Sequence, residues 1–318
     1  MVPPLITLEE HFVSQHITSA PALYDGFGQD LLSKLQDLGN ERIQNMDAGS
    51  VNLQIISHAP ITASAEQCRQ ANDELAAACD QHPKRFAGFA ILPMLDPHAA
   101  ADELERSVRT HSFLGALVNN TTDGIFYDDE EYWPTFARAA QLDVPIYLHP
   151  SFPSDEMAEH YKGNYSDRAA FMLSIAGWGW HTETGLHVLR LFASGLFDKY
   201  PKLKIIIGHM GEMLPFAIDR ILPMSKAWGP KERDLKTVWD ENLWHTTSGY
   251  FSLAPLSCLL RTCRVERIMY SVDYPFSMND KGLNFVKEIQ ESGLVDEEQL
   301  EMICYRNAEK LLGVKAEV

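Results

Sequence analysis

The chain has 318 residues, of which 45% are hydrophobic, and a formal net charge of −17. This length and composition suit one large buried core, whereas the acidic balance lacks the basic footprint that a nucleic-acid partner requires. No run approaches the roughly 18 apolar residues of a membrane span. Glu9 and Glu10 interrupt the N-terminal segment, so neither a secretory signal nor a membrane partner is expected.

Eight short apolar runs recur along the chain, and their β-branched content favours strands buried on both faces. They cover residues 5–8, 51–57, 86–92, 114–118, 145–149, 203–208, 243–247 and 268–273. Helical patterns fill most of the gaps, at residues 63–82, 97–109, 131–141, 183–199, 213–228 and 297–312. This alternation predicts a single (β/α)8 TIM-type barrel over residues 1–318. A doubly wound open sheet and two smaller domains are the alternatives, but no GxGxxG follows the first strand.

Two segments outside the strands carry further signals. Asp296 and Gly313 are typical of the start and end of the last helix. The connection after the fifth strand is polar, then aromatic, and ends in GWGWH. Connections of this length in compact domains usually have a function, so we predict a lid or pocket loop around residues 150–180.

The five cysteines are scattered and lack CxxC spacing. This pattern favours reduced thiols in a cytoplasmic protein and gives no support to a zinc site built on thiolates.

Polar side chains stand at the ends of several predicted strands, where the loops of a barrel converge. Glu9 and His11 share one side of the first strand because residues alternate along it. His149 ends the fifth strand and Asp273 ends the eighth. Each residue alone is more typical of a structural histidine, a salt bridge or a loop cap. Together, two imidazoles and two carboxylates predict a site for one divalent metal ion, because Zn²⁺ and Mn²⁺ prefer such donors.

His209 follows the sixth strand in the segment GHMGE, where small neighbours allow close approach. Glu212 lies three residues further on, within reach if a helical turn begins there. We expect this carboxylate to orient the imidazole and favour its charged form. A buried His–Glu pair with a purely structural role is the alternative.

Several motifs occur in order along the chain. They are LEEHF at 8–12, RIQNMDAG at 42–49, FLGALVNN at 113–120, YLHP at 147–150, the segment 187–216 that ends in GHMGEMLPF, TTSGYF at 246–251, RIMYSVDYPF at 267–276 and RNAEKLL at 306–312. In this combination the chain resembles the amidohydrolase-related decarboxylases. The chain is most similar to the nonoxidative γ-resorcylate, 2,3-dihydroxybenzoate and salicylate decarboxylases. The aminocarboxymuconate semialdehyde decarboxylase is a more distant member.

The resemblance implies an amidohydrolase-superfamily barrel holding one divalent ion, with Zn²⁺ preferred and Mn²⁺ or Mg²⁺ as alternatives. No organic cofactor is expected. It implies the ligands Glu9, His11, His149 and Asp273, although some members have alanine at the position of His11. It also implies the catalytic residues Asp273, His209 and Glu212, and the substrate-binding residues Arg42, Arg220 and Phe276. In relatives the second arginine comes from a neighbouring subunit, which implies a homodimer or a dimer of dimers.

The expected activity is decarboxylation of an ortho-hydroxylated aromatic acid without a redox cofactor. The alternative is metal-dependent hydrolysis of an ester, lactone or amide, because the same ion can activate water. The predicted strand ends carry no lysine for a carboxylated bridge, which disfavours a hydrolase with two metals. A binding protein on an inactive barrel is a further alternative, which the intact ligand positions disfavour.

Overall fold

A computed structural model describes residues 2–24 and 27–316 of the chain. Within these ranges, eight strands form two parallel sheets of order β1-β2-β3 and β4-β5-β6-β7-β8. The strands are β1 (Leu5–Phe12), β2 (Val51–His58), β3 (Phe86–Gly88), β4 (Ala116–Asn119), β5 (Pro145–His149), β6 (Lys204–Ile207), β7 (Leu243–Thr246) and β8 (Ile268–Met269). Each overlaps one of the eight apolar runs. β8 is shorter than predicted, so Asp273 lies four residues beyond its end.

Two seams join the sheets into a closed barrel. A parallel bridge between Ala90 and Ala116 connects the chain after β3 to β4. Between β8 and β1, the amides of Leu8 and Glu9 donate to the Ser271 hydroxyl at 3.0 and 2.8 Å. The amide of His11 donates to the carbonyl of Tyr274 at 2.7 Å. These bonds close the ring of strands, so the predicted (β/α)8 barrel is confirmed.

Helices cover the outside of the barrel and its loops. The first ten are α1 (Ala20–Tyr24), α2 (Gln29–Gln36), α3 (Asn40–Ala48), α4 (Ala65–Gln81), α5 (Pro97–His111), α6 (Trp133–Leu142), α7 (Asp155–Glu159), α8 (Asp167–Ser174), α9 (Gly179–Ser194) and α10 (Leu196–Lys199). The others are α11 (His209–Glu212), α12 (Leu214–Ser225), α13 (Leu235–Glu241), α14 (Leu253–Thr262), α15 (Asn279–Ser292), α16 (Glu297–Glu301) and α17 (Asn307–Leu312). None of the helices in these ranges is long and apolar enough to cross a membrane.

The last predicted helix is interrupted. Asp296 caps its start in a capping box with Gln299, and Gly313 ends it at a φ of 70°, both as expected. Between α16 and α17, residues Met302–Arg306 form a π-helical turn. The carbonyl of Ile303 in this turn accepts the amide of Tyr270 at 2.8 Å. π turns inside α-helices are frequent at positions with a special role. Here the turn provides a carbonyl that bonds the residue directly after β8.

Apolar side chains fill the barrel interior below the strand ends. Ile6, Leu53, Phe89, Ile206 and Met269 are among this buried set, which Leu311 and Leu312 cover from α17. A larger core packs between the strands and the surrounding helices. Because the barrel is filled from below, polar side chains have room only at the carboxyl ends of the strands.

The connection after β5 contains α7 and α8 and leads into α9. Phe152 lies within it, stacked on Phe171 with ring centroids 6.5 Å apart, and contacts Tyr24 from the first loop at 6.0 Å. This places the segment over the barrel mouth, and its action as a lid stays a prediction. All five cysteines lie in the described ranges and are unpaired.

Candidate active site

Glu9, His11, His149 and Asp273 meet at the carboxyl ends of β1, β5 and β8. One ligand atom from each lies within 4.8 Å of all the others. His149 Nε2 is 2.9 Å from Glu9 Oε1, and His11 Nε2 is 3.4 Å from Asp273 Oδ1. Strands of one barrel converge at this end, which brings together residues up to 264 positions apart. We call these four residues the metal cluster.

A bulge in β1 turns Glu9 and His11 into the barrel. Thr7 pairs with Gln54 and Glu10 pairs with Ile56, so three positions of β1 span two of β2. The extra residue reverses the alternation of side chains. Leu8 therefore faces the apolar interior, and Glu9 faces inward too.

The donor atoms of the metal cluster have lone pairs that are free to bind a cation. His149 Nδ1 donates to the carbonyl of Pro150 at 2.6 Å, so the lone pair of Nε2 points to the cluster. Glu9 Oε1 and His11 Nε2 are buried and have no hydrogen-bond partner among the described residues. Unpaired buried polar atoms are costly unless a bound group satisfies them. Two imidazole nitrogens and two carboxylates thus fit one divalent transition-metal ion.

The second oxygen of Glu9 is held by a chain of hydroxyl groups. Tyr147 Oη donates to Glu9 Oε2, so it must accept from Thr246 Oγ1, which lies 2.7 Å away. Thr246 in turn accepts from Ser248 Oγ at 2.7 Å. Sequence reasoning missed these three residues, although Tyr147 stands two positions before His149 and so shares its face of β5.

Gly208 leaves space that Glu9 occupies. A Cβ atom at this position would lie 2.5 Å from Glu9 Oε2 and 3.0 Å from Tyr147 Oη. The backbone of Gly208 is extended, with a φ of −83°, so close approach and not backbone freedom requires glycine here.

His209 and Glu212 lie on a turn with left-handed backbone. His209, Met210, Gly211, Glu212 and Met213 have φ values of 48°, 57°, 88°, 51° and 66°. Non-glycine residues rarely adopt this region, and such strain collects at functional sites. The turn brings His209 Nδ1 to 2.8 Å from Glu212 Oε1 and His209 Nε2 to 3.5 Å from Glu9 Oε1. The predicted pair is therefore formed, although not by the right-handed turn we had expected.

Charges around His209 favour its protonated form. Burial alone would lower its pKa, but the carboxylates of Glu9 and Glu212 raise the pKa to about 10. Burial and the neighbouring charge of Glu9 raise the pKa of Asp273 to about 7. Burial would also raise the pKa of Glu9, but His209 and His149 overcome this and lower it. The site thus combines an imidazolium, an ionised Glu9 and an Asp273 that takes up a proton near neutral pH.

Glu10 faces away from the metal cluster and anchors the loop that carries Asp273. Its carboxylate accepts the Ser271 hydroxyl at 3.0 Å and the amides of Val272 and Tyr274 at 3.1 and 2.8 Å. The two amides flank Asp273, whose own φ is 71°. Glu10 therefore holds the backbone of Asp273 from behind.

The substrate-binding residues predicted from the resemblance lie in different environments. Phe276 packs its ring 5.8 Å from that of His11, beside the metal cluster. Arg42 is fully buried, and its guanidinium donates to the carbonyls of His11 and Asp37 at 2.6 and 2.8 Å. The first bond supports the backbone of β1 and the second the end of α2, and binding of a substrate carboxylate by Arg42 stays a prediction. Arg220 is exposed on α12 and does not join the metal cluster of its own chain.

Comparisons with known proteins support the same interpretation as the geometry of the site. The amidohydrolase family profile matches residues 16–314. Decarboxylase orsB of Emericella nidulans is 51% identical, over 99% of this chain and 98% of its own length. The γ-resorcylate decarboxylase of Polaromonas sp. is 38% identical, over 96% of this chain and 97% of its own.

Solved structures agree with the sequence matches. A dihydroxybenzoic acid decarboxylase from Polaromonas sp., with bound manganese and the inhibitor 2-nitroresorcinol, superposes with a TM-score of 0.86. It is 36% identical, and the match covers 98% of this chain and 97% of that one. The resemblance inferred from the motifs is confirmed, and the chain belongs to the amidohydrolase family.

Proposed function

We propose that the protein is a metal-dependent, nonoxidative decarboxylase of an ortho-hydroxylated aromatic acid. The observation that carries this is the metal cluster facing a protonated His209, in a chain half identical to a decarboxylase over nearly its whole length. The related structure that binds 2-nitroresorcinol, a ring with two hydroxyl groups on either side of a planar nitro group, supports the same class of substrate.

Glu9, His11, His149 and Asp273 would hold one divalent ion. A bound ion would supply Lewis-acid chemistry that stabilises negative charge on the substrate oxygens. We propose zinc for this position, because two nitrogen and two oxygen donors suit it. Manganese is the alternative, since the related structure contains it. Metal analysis of the purified protein, followed by reconstitution of the apoprotein with each ion, decides between them.

The reaction begins with proton transfer to the ring. Direct loss of CO₂ from a benzoate would leave an aryl carbanion whose electron pair lies in the ring plane, out of conjugation. The substrate reacts as its phenolate, after its ortho hydroxyl has released a proton to solvent. Asp273 then donates its proton to the carbon that bears the carboxylate, while an electron pair of the phenolate oxygen forms the ketone. The C–C bond breaks, CO₂ leaves, and the electron pair of that bond restores the aromatic ring and the phenolate. The product phenolate and Asp273 each take up a proton from solvent, so one proton is consumed net in each turnover.

His209 provides the positive charge that these reaction steps require. Its imidazolium pairs with an anionic oxygen of the substrate and holds the ring against Asp273. Glu212 keeps that charge in place through His209 Nδ1. Phe276, next to His11, forms an apolar wall against which an aromatic ring can pack.

A substrate screen tests the proposed function. We expect the metal-loaded enzyme to release CO₂ from some of 2,6-dihydroxybenzoate, 2,3-dihydroxybenzoate, salicylate and their ring-methylated analogues, without added nicotinamide. Product phenols should appear in equal amount. No turnover of these acids, with hydrolysis of esters or lactones instead, would contradict decarboxylation.

We also propose that the active unit is a dimer in which Arg220 enters the neighbouring site. Arg220 and Phe216 lie four residues apart on one face of α12, and Phe216 is 87% exposed. Met213 at the start of α12 and Met224 near its end are also exposed, and a group of exposed apolar side chains favours a protein interface. Mixing Arg220→Ala with Asp273→Ala should restore part of the activity through hybrid dimers. No recovery after verified subunit exchange would contradict a shared site.

A further inference from the structure

A second histidine binds the carboxylate that orients His209. His181 lies in the first turn of α9, and its Nδ1 is 2.8 Å from Glu212 Oε2. His209 Nδ1 is 2.8 Å from the other oxygen, Oε1. Because the carboxylate only accepts, both imidazoles donate through Nδ1. His181 is 4% exposed and Glu212 is fully buried, so the arrangement is closed off from solvent.

The same face of α9 also fixes the backbone of Glu212. Gly185 lies one helical turn after His181, and a Cβ atom there would be 2.7 Å from the carbonyl oxygen of Glu212. α9 therefore contacts this residue twice, at its side chain through His181 and at its main chain beside Gly185. The left-handed turn cannot shift toward α9, so the carboxylate is held from both ends.

Ring contacts complete the enclosure of His209. The rings of His181 and His209 are 4.8 Å apart, and Tyr250 packs against them at 5.1 and 5.9 Å. Because His209 Nδ1 donates to Glu212, the orientation of the Glu212 carboxylate fixes the His209 ring and keeps Nε2 directed at Glu9. Removing the donor of His181 would leave Glu212 Oε2 buried without a partner, and the carboxylate would rotate to regain one.

We propose that His181 is a positioning residue of the decarboxylase, which acts through Glu212 to hold His209 toward the substrate. The proposal rests on the function proposed above. A partner of this kind, one step removed from the reacting groups, usually changes activity about 10–100-fold when it is replaced.

A matched pair of variants tests the proposal by kinetics. His181→Leu removes the donor and keeps the bulk, whereas His181→Asn keeps an N–H near the position of Nδ1. We expect His181→Leu to lower kcat about 10–100-fold with KM within about twofold, and His181→Asn to stay within about threefold of wild type. His160→Leu, which removes an exposed histidine of the same connection, should leave both constants unchanged.

Three kinetic results would overturn the proposal. They are a wild-type kcat in His181→Leu, equal losses in the leucine and asparagine variants, and a loss explained entirely by lower metal content. A structural role alone would lower stability in both variants and would not be rescued by asparagine.

A spectroscopic measurement keeps the proposal testable if His181→Leu does not fold or if the substrate screen fails. In wild-type protein labelled with ¹⁵N-histidine, His181 and His209 should each show a slowly exchanging, downfield Nδ1–H resonance. His181→Asn and His209→Asn assign them by loss of one signal each. Absence of the His181 signal from the wild type overturns the shared carboxylate, whatever reaction the enzyme catalyses.

Discussion

Glu9 is buried and Asp273 is half-buried in the same cluster, and their surroundings drive their pKa values apart. Histidines on two sides keep Glu9 ionised, although burial opposes this. Asp273 experiences the charge of Glu9 in addition to burial, and its pKa rises to about 7. Both side chains are candidate ligands, and without a bound ion this separation makes Asp273 the carboxylate that can carry a proton near neutral pH.

Asp273→Asn tests this assignment. Asparagine keeps the shape and one oxygen ligand but has no proton to give. We expect kcat to fall by at least about 100-fold, as for loss of a general acid, while metal content changes far less. Asp280→Asn on the exposed start of α15 serves as the control. Retention of more than about a tenth of the activity would assign the proton transfer to another group.

Gly208→Ala tests how tightly Glu9 is packed. The added methyl group would lie 2.5 Å from Glu9 Oε2, so either the carboxylate or the backbone of β6 must move. We expect metal affinity to fall about 10–100-fold, because ligand orientation is disturbed. Titration of the apoprotein with zinc and manganese measures the change. Unaltered affinity for both ions would contradict the prediction that the packing of Gly208 against Glu9 fixes the ligand.

At the scale of elements, the seam between β1 and β8 connects barrel closure to the active site. Ser271 accepts two amides of β1 and donates to Glu10. Glu10 also accepts the amides on either side of Asp273. One set of hydrogen bonds thus closes the barrel and holds the backbone of Asp273.

Glu10→Ala would break this seam. It leaves two buried amides without an acceptor, and each unpaired group costs about 1–3 kcal/mol. We expect a lower free energy of unfolding in urea and a loss of activity, because Asp273 is no longer held. Glu10→Gln keeps an accepting oxygen and should recover part of both. If Glu10→Ala were as stable and active as wild type, the seam would not depend on this side chain.

At the scale of the whole molecule, several histidines are buried as neutral groups far from the metal cluster. Burial lowers the pKa of His187 to about 3, and burial and the charge of Arg267 lower that of His245 to about 3. His187 Nε2 accepts the amide of Tyr127 at 3.1 Å, which only the neutral ring can do. At His187 and His245 the folded protein therefore binds fewer protons than the unfolded chain in mildly acidic solution.

This predicts acid sensitivity of the fold. Because the folded-state pKa of His187 lies below the usual 6.5, its contribution to stability is full above that pH. The contribution is lost as the pH falls toward 3, by about 2 kcal/mol between pH 7 and pH 5. His187→Gln should flatten the pH dependence of the unfolding free energy by that amount. Exposed His98→Gln is the control, and equal slopes in all three proteins would contradict the prediction.

The eight strands and the barrel could be predicted from sequence because strands buried on both faces require continuous apolar runs, and these are visible locally. The metal cluster could be anticipated because Glu9, His11, His149 and Asp273 all stand at predicted strand ends. The sequence motifs were sufficient to identify the family. These inferences depend on neighbours in the chain, so one sequence was sufficient for them.

Only the tertiary structure determines which side chains around the metal cluster contact one another. His181 meets Glu212 from 31 positions away, and Tyr147 meets Glu9 from 138 positions away. The resemblance implied that Arg42 binds substrate, and only the structure shows that its guanidinium also bonds to the backbone of β1. Partners so distant in sequence leave no local pattern, because only the closing of the barrel brings them within hydrogen-bonding distance.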